Sequence, residues 1–234
     1  MFKPILGEII TMIQGQGQRL QTAKIFIKTT QGLLDHLEFK NVSIRKIAEK
    51  AGFHNSTIYL HFKDLDELLM LASMKYFYDY SQALEMVSTM SLSPINSFLM
   101  VWDLFFSTMV RKPHVFYNFF YGKRSSNLKQ IMDDYYSIFP DERNSFSDVI
   151  EAMYFGNTFF ERNLVALEPL IGEDTSVTHE NVLMVNDIIT SCCKSKMEII
   201  LQNSSSDGEK LKKDFLNILI YVCQIKRATN YQLS

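Results

Sequence analysis

The sequence predicts an all-α fold: an N-terminal three-helix head joined by a long fourth helix to a larger helical body. Three observations carry this. Only 9 Gly and 5 Pro punctuate 234 residues. Apolar residues recur at three- and four-residue spacing over long segments, and no run alternates as strands do. Ser43–Phe62, reading SIRKIAEKAGFHNSTIYLHF, holds an apolar-periodic segment, an Ala-Gly break and a second short segment with a polar outer face. That is the pattern of a helix-turn-helix, the commonest way to present one helix to a DNA major groove.

Taken in order, residues 1–18 form an N-terminal extension, an apolar stub ending in the polar IQGQGQ, which reads as a flexible link. The first firm helix spans about 19–37, with Ala23, Phe26, Ile27, Thr30, Leu33, Leu34 and Leu37 in one stripe. Helix two begins after Ser43, a good N-cap, and buries Ile44, Ile47, Ala48 and Ala51. Gly52 allows a tight turn. Helix three runs from Asn55 or Ser56 to His61, with the cap role falling to Asn55. Asp64-x-x-Glu67 is a capping box opening a helix that buries Leu65, Leu68, Leu69 and Ala72 and continues to about residue 90. Further helices are expected at about 95–111, 114–121, 125–137, 144–168, 179–202 and 209–227. This divides the chain into the extension, a head at 19–63 and a body at 64–234.

The net charge of −2 conceals an asymmetry: residues 19–63 carry +5, and the chain beyond them carries −7. A basic head on an acidic body suits nucleic-acid binding coupled to a second task. Cys192, Cys193 and Cys223 are odd in number and two are adjacent, which suggests reduced thiols rather than a disulfide framework. No metal-ligand spacing appears, no cofactor motif is present, and no segment reads as a signal peptide or a membrane span. A cytoplasmic protein with no metal, no cofactor and no membrane partner is expected.

In the helix-turn-helix, Ile58 and Phe62 lie four apart and anchor helix three to the head. Ser56, Thr57, Tyr59, Leu60 and His61 surround the accessible side. Hydroxyls and a phenol suit phosphate oxygens. His54, Asn55, Ser56 and His61 are placed to meet base edges, and Leu60 to pack on a thymine methyl. Ser43 and Arg45 stand at the start of helix two, and Lys46, Lys50 and Lys63 add sequence-independent attraction.

Residues 19–78 resemble the N-terminal domain of TetR-family transcriptional regulators. The matches are Ser43, Ile44, Ile47, Ala48, Ala51, Gly52, Thr57, Ile58, Tyr59, His61, Phe62 and, in the fourth helix, Leu68. The usual pattern is departed from at four places. Phe53-His54 replaces Val-Ser, Ser56 replaces a small Gly or Ala, Leu65 a frequent Lys, and Glu38 a frequent Gly. The resemblance implies a double-stranded DNA operator, an effector held in the helical body, and a homodimer formed through the last two helices. DNA contacts are expected from Ser43, Arg45, His54, Asn55, Ser56, Thr57, Tyr59, Leu60, His61 and Lys63.

Residues 98–160 contain 17 of the 30 aromatic residues, about twice an even share. Plain core packing explains such a cluster; so does a cavity for an apolar or aromatic effector. The expected lining is Trp102, Phe105, Phe106, Met109, Phe116, Phe119, Phe120, Met153, Asn157 and Phe160. Asp103, His114, Asn118 and Glu161 are further polar candidates. Stripes of Val182, Val185, Ile188, Ile189 and Cys192, and of Phe215, Leu216, Leu219, Val222 and Cys223, are expected at the dimer face. The composite reading is a ligand-responsive regulator, a repressor released from a palindromic operator. Two rivals remain: a helical interaction protein with a vestigial head, and a helical enzyme, against which no nucleophile–base constellation can be found.

Overall fold

The computed structural model describes residues 3–226 except 38, 204 and 205, and only the backbone of residues 3–14. Every regular element among them is helical. The head comprises α1 (Lys3–Leu34), α2 (Ile44–Ala51) and α3 (Asn55–Ile58). α1 runs through the Gly-Gln segment that was expected to be a flexible link. Gly15 and Gly17 keep negative φ there, so no turn forms. Each glycine costs a helix only about 1 kcal/mol relative to Ala, which flanking helix formers offset. The firm part buries Ala23, Phe26, Ile27, Thr30 and Leu34, and residues 35–37 follow as a closing turn. Glu38, one of the four departures, lies outside the described residues.

The connector is a continuous helical path, α4 (Leu65–Ser73), a 3₁₀ segment at Met74–Phe77, then α5 (Tyr78–Thr89). The expected long helix is thus present but tightened in its middle. Leu68, Leu69, Met70, Leu71 and Ala72 are all buried, because α4 packs on α1 on one side and on the body on the other. A helix apolar all round belongs in a core. One continuous apolar core therefore joins head to body.

The body adds α6 (Pro94–Met109), α7 (Pro113–Tyr121), α8 (Leu128–Ile138), α9 (Asp148–Tyr154), α10 (Phe159–Leu167), α11 (Val182–Gln202) and α12 (Gly208–Val222). The single helix expected at 144–168 is in fact two. Thr158 and Glu161 form a second capping box: Thr158 Oγ1 accepts from Glu161 N at 3.1 Å, and Glu161 accepts from Asn157 N at 2.9 Å. This Thr-x-x-Glu signature starts α10 after a four-residue break that follows the end of α9 at Tyr154. α12 ends at Val222, where Gln224 takes a φ of 49° and Ile225 N donates back to Ile220 O. The expected extension to residue 227 reaches beyond the described residues. No described helix is long and apolar enough to cross a membrane.

Candidate nucleic-acid interface and effector cavity

The helix-turn-helix is fixed by local chemistry. Ser43 Oγ accepts from Lys46 N and caps α2, worth about 1 kcal/mol. Gly52 closes α2 at a φ of 76°, in the left-handed region where a Cβ is penalised. His54, not Asn55, caps α3. Its Nδ1 accepts from Ser56 N at 3.3 Å and pairs with Ser56 Oγ at 2.8 Å. The imidazole takes over the work of the side-chain oxygen that usually stands there. α3 ends at Ile58, and three-residue turns carry the chain on to His61. Ile58 and Phe62 are buried, at about 1.5–3 kcal/mol each. Phe26 of α1 meets Phe53 at 5.0 Å and Phe62 at 6.3 Å between ring centroids.

That frame holds the outward side chains in water. Tyr59 is 59% and Leu60 68% exposed, an expense for two large apolar surfaces that only a partner would recover. Arg45, His54, Asn55, Ser56 and Lys63 are exposed, with Ser43 and Thr57 half-buried. His61 is half-buried and faces inward, its ring 6.0 Å from Phe26. Burial, with a smaller effect from Arg19, holds its pKa below the usual 6.5. Lys46 donates to Asn41 O at 2.8 Å. Leu65 packs on the core, so the phosphate contact made by lysine at that position has no counterpart in it.

The junction between α3 and α4 is tied to the body. Asp64 caps α4 through Glu67 N at 2.9 Å. The same carboxylate takes a two-pronged contact from Arg124, at 3.2 and 2.6 Å. Lys123 pairs with Asp66 at 3.1 Å. Arg124 beside it holds the Asp64 carboxyl below the usual carboxylate range. Both cations sit directly after α7, the helix carrying Phe119 and Phe120.

The body contains a narrow internal cavity of about 20 Å³, room for roughly one water-sized sphere. Of the expected lining, Trp102, Phe105 and Met153 reach it. Phe106, Met109 and Phe119 are buried elsewhere in the core, Phe116 borders an open polar groove at the head–body junction, and Phe120 and Phe160 flank a separate surface groove. Asn157 sits in the α9–α10 break. Glu161 is spent on capping, Asp103 pairs with Lys212 at 3.3 Å, Asn118 donates to the Met70 sulfur, and His114 lies on the surface.

Sequence reasoning missed Tyr80, Val101, Phe159, Arg162, Asn163 and Ala166, which complete the lining. A signal existed. Phe159, Arg162, Asn163 and Leu167 form the buried stripe of α10, so two polar residues stand where periodicity demands apolar ones. Asn163 accepts from Trp102 Nε1 at 3.0 Å and donates to Asn186 at 2.5 Å, and Asn186 donates to Phe160 O. This satisfied relay fixes α6, α10 and α11 together. The three cysteines are free, and burial pushes the Cys223 thiol up to about 12, leaving it unreactive at neutral pH. Among the described residues no cluster suits a metal ion.

A helix-turn-helix with a buried frame and an exposed polar, basic and aromatic face, set on an all-helical body with an internal cavity, resembles the architecture of DNA-binding regulators that carry a ligand-binding domain. Residues 27–70 match the model of the bacterial regulatory proteins of the tetR family. Two solved structures resemble it over nearly their whole lengths. Thermus thermophilus FadR, a TetR-family transcriptional repressor in complex with lauroyl-CoA, has a TM-score of 0.57 at 9% identity, covering 90% of this chain and 99% of that one. RolR in complex with resorcinol has a TM-score of 0.56 at 17% identity, covering 94% and 100%. At these identities the likeness establishes the fold. No curated protein sequence matches.

Proposed function

We propose that this chain is a ligand-responsive transcriptional regulator, a repressor that binds a palindromic operator as a homodimer and is released by an apolar or aromatic small molecule. One observation carries the reading: Tyr59 and Leu60 stand in water on a turn whose other side, Ile58 and Phe62, is fully packed. Tyr59, Thr57, Ser43 and Lys63 serve phosphates; Arg45, His54, Asn55, Ser56, Leu60 and His61 face the groove. His61 swings out from Phe26 to do so. One head offers too few contacts for selective binding, so two are required, about one helical turn apart.

The dimer uses the outer faces of α11 and α12. Leu183, Met184, Ile188, Ile199 and Tyr221 are exposed there, Tyr221 at 84%. Most of the stripe read from the sequence, including Val185, Ile189, Phe215 and Leu219, is buried within the chain itself. The effector acts by favouring a conformer whose heads are wrongly spaced. Motion of α7 against α10 passes through Lys123 and Arg124 to Asp66 and Asp64 at the start of α4, beside α3. By linkage, operator DNA must weaken effector binding by the same factor.

A gel shift with the DNA upstream of the chain's own gene tests this. Binding is expected to be salt-sensitive and lost in Tyr59→Ala combined with Lys63→Ala. Unaltered binding by that double variant would refute the contact assignment. Absence of any selective binding would leave the head vestigial.

A further inference from the structure

Arg162 is 4% exposed, yet among the described residues no acid pairs with it. Its hydrogen bonds run to the Tyr154 carbonyl and the Met132 sulfur, both through Nη1. The rings of Phe120 and Tyr154 each lie 5.3 Å from its central carbon. The titratable groups acting on it are Tyr80, Tyr136 and Tyr154, whose hydroxyls burial keeps neutral. All these neighbours attract a cation but leave one full positive charge uncompensated in the core. An unpaired buried charge is destabilising, and a well-placed anion offsets that cost. The guanidinium lines the internal cavity; among the described residues only its Nη1 has a hydrogen-bond partner, and Nη2 and Nε are not sealed off.

An apolar route leads to it. A surface cleft of about 280 Å³ shares Val101, Met153 and Ala166 with the inner cavity, and no charged residue lines it. Met153, which lines both, is an unbranched side chain with three rotatable bonds. Its rotation would merge them into a space of roughly 300 Å³, where small-molecule sites begin. Charge would then meet the ligand at one end only.

We propose that Arg162 is the anion anchor of this site and that the effector is an organic acid, one carboxylate on an apolar or aromatic body that extends through the cleft past Met153. The proposal rests on the ligand-responsive reading above and specifies its ligand. The carboxylate accepts from Nη2 and Nε in a bidentate pair, the geometry for which arginine is suited.

Trp102 is the sole tryptophan and lines the cavity, so its emission reports occupancy without DNA. The full-length chain is titrated with decanoate against decan-1-ol and with phenylacetate against 2-phenylethanol. At least one acid is expected to bind saturably and about tenfold or more tightly than its alcohol. Arg162→Met should abolish the preference, and Arg162→Lys, a charge without the fork, should keep part of it. Equal binding of acid and alcohol by the unaltered chain, no saturable response to either acid, or a preference surviving in Arg162→Met overturns the proposal. The first two outcomes need no variant to fold. A parallel gel shift separates the two readings: an acid that binds without disturbing the operator complex breaks the regulator reading alone, and an intact operator complex with no acid preference breaks the anchor alone.

Discussion

Ser43–Phe62 and the aromatic body place their working residues in opposite senses. In the head, the frame points inward and the candidate contacts point outward, and both sets come from one stretch of chain. Ser43, Gly52, His54, Ile58 and Phe62 each do their structural work on neighbours a few residues away, with Phe26 as the main distant support. In the body the candidate site points inward. Tyr80, Trp102, Met153 and Arg162 come from α5, α6, α9 and α10 and meet only through tertiary packing. An outward site is thus specified by local spacing, whereas an inward one is specified by convergence of distant segments.

The sharpest break of this contrast removes the head's distant support. Phe26→Ala empties the space against Phe53, His61 and Phe62 and should cost about 3–5 kcal/mol. Operator binding is expected to vanish while the Trp102 emission spectrum of the body stays native-like. A changed Trp102 spectrum would mean that the shared core through α4 makes the two regions fold as one.

Gly52→Val comes next. A β-branched residue at a φ of 76° should cost the head about 1–2 kcal/mol. Thermal unfolding followed by circular dichroism gives the loss, and operator affinity should fall with it. Gly52→Asn, which tolerates the left-handed region better, is expected to recover part of both.

Stability and communication separate at the junction. Asp64→Asn removes a contact whose partners are 48% and 24% exposed, so its worth is discounted to about 0.2–1 kcal/mol. It should nonetheless reduce the mutual effect of effector and operator, measured as effector affinity with and without DNA. Unchanged coupling in both Asp64→Asn and Arg124→Gln would exclude this route. The Asp64 carboxyl titrates below its ordinary 3.8, so the contact contributes stability above that value and loses it only as pH falls through the lowered pKa. Between pH 5 and 8 the coupling should therefore be flat.

The smallest effect belongs to His61. Its lowered pKa means that the neutral ring is favoured in the folded head, a contribution present above about pH 6.5 and lost as pH falls through the folded value. An NMR titration of the free protein should give a midpoint under 6.5, moving upward when DNA supplies phosphates.

How much of this was legible follows the same division. The caps at Ser43 and Asp64, the turn at Gly52 and the anchors Ile58 and Phe62 were readable because each depends on residues within four positions. The cap on α3 was misassigned to Asn55, since histidine is an unusual acceptor there. The break at 155–158 was missed although its capping box is local, because the apolar run on both sides suggested one helix. That error hid Arg162: in an unbroken helix it would not reach the carbonyl of Tyr154. The aromatic cluster was visible, but which of its rings face a cavity is decided by helix angles that periodicity does not encode. The same holds for α11 and α12, where the apolar stripe marked the inner face and the outer one emerged only from packing.

The tightened segment at Met74–Phe77 works as a screw thread between the two regions. A 3₁₀ turn advances about 120° and 2.0 Å per residue, against about 100° and 1.5 Å in an α-helix. Over four residues the difference is roughly 80° of rotation and 2 Å of length. The azimuth of the body about the connector axis is therefore written in the winding of one short turn. Rewinding it would swing the body like a crank and would have to repack Met74 and Phe77, both buried, with the Phe77 ring set against Phe116, Phe119 and Phe120.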